Sequence, residues 1–389
     1  ITNNIDKSGK KLVQATLDDD YYFFQESPHH DVNYIEEDTF EAKYIHTSFN
    51  VFTYEPYLQL CEDMVEVLPH GESTKALLVT TGAEAVENAI KIAKQATGRQ
   101  GVLCFTGAFH GRTLMAMTLT SKIAYKTGCG PFAPEVYRLP FPNYYRYSNE
   151  MEMDEFVELE LKRLHESSHN LVDPQNLAAV IIEPVQGEGG FVTVPPKYLE
   201  GLRAFCDQHG IMLIIDEIQS GFARTGNWAS WQNYNVTPDI ISIAKGMGNG
   251  FPIGGILIHP NIESKYGMLG TTFGGNHLAC AAGLSVLNTI EEERLIENAN
   301  AISKYFIEQA ETIPQIKNIK GRGLMLGLEF DFEVGDLRKT LIYDYHIFTG
   351  GAMNKKLLRI LPPLTVKKEH IDQFFEALKK ALLDIKETV

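Results

Sequence analysis

Short apolar runs alternate with stretches of helical periodicity through the middle of the chain, and most runs end at a turn-forming or charged residue. Residues 76–81 read as a strand and 84–95 as the helix after it, followed by a short strand over 101–105. The run 177–182 is apolar throughout and stops at Glu183-Pro184, as a strand covered on both faces would. A helical pattern over 198–209 precedes the continuous apolar strand 211–215, and strands over 239–243 and 253–258 complete the set. Residues 276–293 read as a long helix rich in Ala and Leu. From about 295 the texture changes to helix, strand (323–330), strand (357–361) and a last helix (368–385). The alternation predicts an α/β fold with a large domain built on a mostly parallel sheet and a smaller α+β C-terminal domain. The expected divisions are an acidic N-terminal segment (1–45), a large domain (46–294) and a small one (295–389).

Composition narrows the function classes. The 389 residues are 44% hydrophobic, enough for a substantial core, and 50 acidic against 35 basic residues give a formal charge of −15. That balance argues against a nucleic-acid groove or an anionic membrane surface and for small-molecule partners. No apolar stretch approaches the roughly 18 residues of a membrane span. Five cysteines without a CxxC pair read as reduced thiols. The scattered thiols make a cytoplasmic protein the expectation; residues 1–11 lack both a signal-peptide core and an Arg-rich transit pattern, and a leader removed or left out stays open. Residues 12–42 hold nine acidic residues and no Lys or Arg, with His29 and His30 among them. No metal-ligand spacing stands out there, and a solvated acidic loop without metal is expected.

Ligands of open α/β sheets bind at the carboxyl ends of strands, and three motifs fall there. Val79-Thr80-Thr81-Gly82-Ala83-Glu84 joins strand to helix through small residues, which exposes backbone N–H groups and a positive dipole end to an anion. Many such turns contain glycine, so this alone decides nothing. Asp216-Glu217-Ile218-Gln219 places two acids directly after a run of isoleucines, either as a helix cap or ion pair or as a carboxylate facing a cationic ring nitrogen. Ala244-Lys245-Gly246-Met247-Gly248-Asn249-Gly250 sets a lysine among glycines; it is a flexible surface loop or an amine with room for a covalent cofactor. In combination, an anion cradle, an acid and a lysine at successive strand ends suit pyridoxal 5′-phosphate (PLP).

The chain resembles the class III aminotransferases, PLP enzymes of fold type I, over about 46–364. The similarity is carried by TTGAEAVENAIKIAK (80–94), FHGRT (109–113), EPVQGEGG (183–190), DEIQSGFARTG (216–226), AKGMGNGFPIGG (244–255), TTFGGNHLACAA (271–282) and LRILPPL (358–364). The resemblance implies that Lys245 carries the cofactor as a Schiff base and that Asp216 pairs with the ring N–H. It further implies that Gln219 contacts the phenolic oxygen, Phe109 stacks on the ring, and Gly82 and Ala83 bind the phosphate. Thr272 would reach the phosphate of the neighbouring subunit, which implies a homodimer with shared active sites. Arg112 would bind the donor carboxylate, and Glu188 with Arg359 would form a gate. Near its start the chain departs from the family: no Gly lies between Gly9 and Gly71, and Ser27-Pro28-His29-His30-Asp31 stands where a Gly-His-x-His-Pro element is usual.

The activity expected is transfer of a terminal amino group to 2-oxoglutarate, giving glutamate and a semialdehyde, with Lys245 as the base that moves the substrate proton. The segments DEIQSG, FGGN and ILPPL look most like acetylornithine aminotransferases, so N-acetylornithine, or another N-acylornithine, is the expected donor and arginine biosynthesis the expected setting. Residues 46–62 look more like 4-aminobutyrate aminotransferases, and 4-aminobutyrate and ornithine are the alternatives. An isomerase on the same scaffold, or a non-catalytic PLP-binding protein, are readings from other classes.

Overall fold

The computed structural model describes residues 2–5, 11–14, 49 and 53–387, except 72, 264 and 266. The acidic stretch from 15 to 42, with His29 and His30, lies outside the described residues. Seven strands form the main sheet: β1 (Lys75–Val79), β2 (Gly101–Phe105), β3 (Val136–Leu139), β4 (Leu177–Ile182), β5 (Met212–Asp216), β6 (Ile240–Ala244) and β7 (Gly254–Ile258). Their order across the sheet is β1-β7-β6-β5-β4-β2-β3. Only β7 runs antiparallel, inserted between β6 and β1. The expected α/β class with a mostly parallel sheet is therefore the observed one.

Alternation explains why the central strands are almost wholly apolar, with Ser242 in β6 and Asp216 at the end of β5 as exceptions. In β5, Leu213 and Ile215 pack into one core while Ile214 packs into the core on the opposite face. In β6, Ile241 and Ile243 join the first core and Ile240 the second. Both faces are covered, so these strands read as near-continuous apolar runs.

The helix α1 (Gly82–Thr97) covers the second face through Ala85, Val86, Ala89, Ile90, Ile92 and Ala93. It starts at a capping box in which Thr81 and Glu84 satisfy each other's backbone N–H, and it stops at Gly98, whose φ of +72° suits glycine. A four-stranded antiparallel sheet follows in the C-terminal part: β8 (Asn318–Arg322), β9 (Met325–Glu329), β10 (Gly350–Gly351) and β11 (Leu357–Ile360), in the order β8-β9-β11-β10. The helices Leu295–Glu311 and Lys368–Glu387 pack on it through a separate core that includes Phe306, Leu326, Leu358 and Phe375. No described helix is long and apolar enough to cross a membrane.

Candidate active site

The carboxyl ends of β1, β2, β4, β5 and β6 share one edge of the sheet, and the polar residues of the middle of the chain converge there. Asp216 ends β5 and is 3% exposed. Its Oδ2 lies 2.7 Å from His110 Nδ1, and its Oδ1 accepts the Ile218 N–H at 3.1 Å. A carboxylate only accepts, so Nδ1 carries the imidazole proton and Nε2 is left buried without a protein partner. The neighbouring acid plays a different part. Glu217 points away and accepts from the Ser220 hydroxyl and, at 2.6 Å, from the Trp231 N–H. Burial pushes its pKa up to about 7. Of the two acids in the motif, Asp216 faces the site and Glu217 holds the loop behind it.

Lys245 follows β6 with a φ of +47°, a conformation few residues with a side chain adopt. Residue 245 as a whole is exposed to solvent. Its ammonium is nonetheless closely surrounded by protein, and that local crowding governs its protonation. Desolvation brings its pKa below the usual lysine range, against the opposing pull of Asp216, Glu183 and Glu188. The same edge holds Glu183, fully enclosed, whose two oxygens accept the N–H groups of Phe109 (3.0 Å) and Gly187 (3.1 Å). Burial, partly offset by His110 and reinforced by Asp216, lifts its pKa to about 7.

The anion corner is built from α1. Glu84 takes the N–H groups of Thr80 and Thr81, and Thr81 takes that of Glu84, so Gly82 and Ala83 are the first-turn donors left over among the described hydrogen bonds. A side chain at Gly82 would start 3.0 Å from Ile218 and 3.4 Å from Ala244, which shows how tightly this helix start is seated on the Asp216 and Lys245 turns. Gln219 has a buried Oε1 without a partner. That oxygen occupies the space a β-carbon at Gly187 would need, so a side chain at 187 would have to push the Gln219 amide aside.

A second cluster surrounds Glu188. Arg359, from β11, donates through Nη1 to Glu188 Oε1 and to the Gly187 carbonyl, both at 3.1 Å. Glu188 Oε2 receives Lys122 Nζ and the Tyr125 hydroxyl, each at 3.3 Å. Burial alone would raise the Glu188 pKa, but Arg359 and then Lys122 outweigh it and hold the carboxylate below the ordinary range. Arg112 lies 4.1 Å from the centre of the Tyr125 ring, and Phe109 meets that ring edge to face at 5.6 Å. Thr272 is exposed, and none of the described contacts joins it to this cluster.

These residues fit PLP on grounds of their own. A buried acid, a side-chain amide with an unused buried oxygen, two spare N–H groups at a helix start and a desolvated amine match its ring nitrogen, phenolic oxygen, phosphate and aldehyde. Four participants were not singled out from the sequence: His110, Glu183, Lys122 and Tyr125. The first two stand inside the segments FHGRT and EPVQGEGG, next to strand ends, and that position was the available signal. Nothing in the sequence marks Lys122 or Tyr125. Among the described residues no cluster of metal-binding side chains occurs.

A family profile described as aminotransferase class-III matches residues 30–382. The 4-aminobutyrate aminotransferase GabT of Escherichia coli is 39% identical over 363 residues, covering 89% of this chain and 83% of that protein. The 5-aminovalerate aminotransferase DavT of Pseudomonas aeruginosa is 42% identical over 305 residues, covering 77% and 70%. Among solved structures, an (S)-enantioselective omega-transaminase from Thermomicrobium roseum aligns with a TM-score of 0.81 at 29% identity, covering 89% of this chain and 83% of that one.

Proposed function

Because the chain belongs to the class-III aminotransferases, we propose that it moves the terminal amino group of 4-aminobutyrate or 5-aminovalerate to 2-oxoglutarate. PLP is the family's cofactor, and when bound it supplies a ring that takes up the electrons left on the donor carbon as its proton departs. The rest is the work of this chain. Asp216, oriented by His110 and the Ile218 N–H, would hold a negative charge against the ring nitrogen. The Lys245 amine, whose proton affinity is lowered by desolvation, would accept the proton from the donor carbon and return it elsewhere. Gly82 and Ala83 would grip the phosphate, while Phe109 and Gln219 fix the ring.

This reading replaces the expectation of N-acetylornithine and arginine biosynthesis. Relatives named for 4-aminobutyrate and 5-aminovalerate support the shorter donors. The segments behind the earlier expectation carry Asp216, Gln219 and the neighbours of Thr272 and Arg359, so they record the shared cofactor chemistry and leave the donor open.

The observation that carries the terminal-amine part of the proposal is the Arg359–Glu188 pair, formed at 3.1 Å near Lys245, with Arg112 outside it. A terminal-amine donor has one carboxylate, which Arg112 would take, and only hydrogens beside the reacting carbon. An unpaired guanidinium there would be a desolvated charge facing those hydrogens, and Glu188 neutralises it. 2-Oxoglutarate brings a second carboxylate to that point, and Glu188 must then release Arg359 to grip it. Donors offered singly with 2-oxoglutarate, with glutamate as readout, test the proposal. 4-Aminobutyrate or 5-aminovalerate should exceed N-acetylornithine and ornithine by roughly 10-fold or more in kcat/KM. N-acetylornithine as the best donor would overturn it.

We also propose a homodimer in which Thr272 completes the phosphate site of the partner subunit. The exposure of Thr272, with Leu278 and Phe251 also exposed, supports it. Dilution to monomer should then release PLP, because binding and association are linked. A monomer that sediments with its PLP tightly held would contradict the shared site.

A further inference from the structure

The gate requires a place for the Glu188 carboxylate once Arg359 is taken. We propose that Lys122, steadied by Tyr125, is that place: a positioning residue that holds Glu188 while a dicarboxylic acceptor occupies Arg359. The inference rests on the gate reading above and adds to it the residue that makes the open state affordable.

Two observations carry it. First, the Glu188 oxygens are already divided between partners: Oε1 meets Arg359, and Oε2 meets Lys122 and Tyr125. Lys122 also donates to the Tyr125 hydroxyl at 3.0 Å, so the hydroxyl can pass its own hydrogen to Glu188. Glu188 can therefore leave Arg359 by shifting about the oxygen that stays bonded. Second, the charges balance only with Lys122 included. Arg112, Lys122 and Arg359 are three cations around one carboxylate. With a monocarboxylic donor bound, Arg112 takes the donor and Glu188 bridges the other two. With a dicarboxylic acceptor bound, three carboxylates face three cations: the acceptor takes Arg112 and Arg359, and Lys122 is left for Glu188. Without Lys122, Glu188, whose side chain is only 22% exposed, would stand in the open gate as an uncompensated charge. Tyr125 ties the parts together, since Arg112 and Lys122 lie 4.1 Å and 4.5 Å from its ring centre.

Glutarate and valerate, a dicarboxylate and a monocarboxylate that do not react, separate the two states without turnover. Their dissociation constants on the PLP-loaded protein can be read by calorimetry. Lys122→Met should weaken glutarate about 10-fold relative to valerate. Lys122→Arg should restore most of that loss, and Tyr125→Phe should reproduce part of it. In a Glu188→Ala background, Lys122→Met should have no further effect on glutarate. Equal weakening of both ligands, no weakening of glutarate, or a loss that persists without Glu188 each overturns the proposal; the last would mean that Lys122 touches the ligand itself. The gate has its own control: Arg359→Ala should weaken glutarate by roughly 30-fold or more, and Glu188→Ala should not weaken it. If these two respond and Lys122→Met does not, the gate stands and only the berth is wrong. If Arg359→Ala leaves glutarate unchanged, the gate itself is wrong.

Discussion

Lys245→Ala is expected to slow conversion of the donor amine at least about 10⁴-fold while leaving the fold and non-covalent PLP uptake in place. On the proposed reading the lysine would supply two things at once, the covalent attachment point and the base that carries the proton. Both call for an amine that gives up its proton more readily than an ordinary lysine, and desolvation at the end of β6 shifts Lys245 in that direction. The fold should survive because the left-handed backbone at 245 strains alanine no more than lysine. The check is borohydride reduction followed by peptide mass analysis. Wild-type protein should be labelled at Lys245 and the variant nowhere. A label on a different lysine would assign the chemistry elsewhere.

Asp216→Asn should cost roughly 10³-fold in turnover with little change in stability. Asparagine keeps the shape and one acceptor, so the Ile218 N–H can stay satisfied. The negative charge is lost, and with it the partner of a protonated ring nitrogen. His110 Nδ1 also loses the carboxylate that fixes its proton. Because Asp216 is 3% exposed, no water can stand in for the missing charge. Turnover close to wild type, measured on folded and PLP-loaded variant, would remove Asp216 from the mechanism.

Much of this site could be read from the sequence because its principal residues sit where apolar runs stop. A run such as 177–182 cannot continue past a charge without exposing or burying it, so the charge marks the strand end. Strand boundaries shifted where a local bond competed with the ladder. The strand expected over 76–81 ends at Val79, because the N–H groups of Thr80 and Thr81 are taken by Glu84. The strand expected over 323–330 is shortened to Met325–Glu329, because Gly323 and Leu324 form the turn that returns β8 into β9. The helix Met153–Asn170 was not predicted: its buried face includes Glu160, which is paired with Arg163, and a charge on the inner face breaks the apolar stripe. Lys122 and Tyr125 could not be found for a different reason. Their meaning comes from Glu188, in the turn after Gln186, which Arg359 of β11 also reaches, and no local pattern records an encounter between residues so far apart in sequence.

The place of β7 also bears on how the chain is made. Among the described residues β1 pairs with no strand but β7, Val79 lying opposite Gly254, although β1 is the first of the main-sheet strands in the chain and β7 is the last. Through the synthesis of everything between, β1 has an unpaired edge, and closing it requires the longest loop in the sheet. Gly82 follows β1 and Lys245 follows β6, the two strands on either side of β7, so the strand of this sheet made last lies between the proposed phosphate corner and the lysine. On the proposed reading of the site, cofactor capture is therefore expected to follow closure of the main sheet.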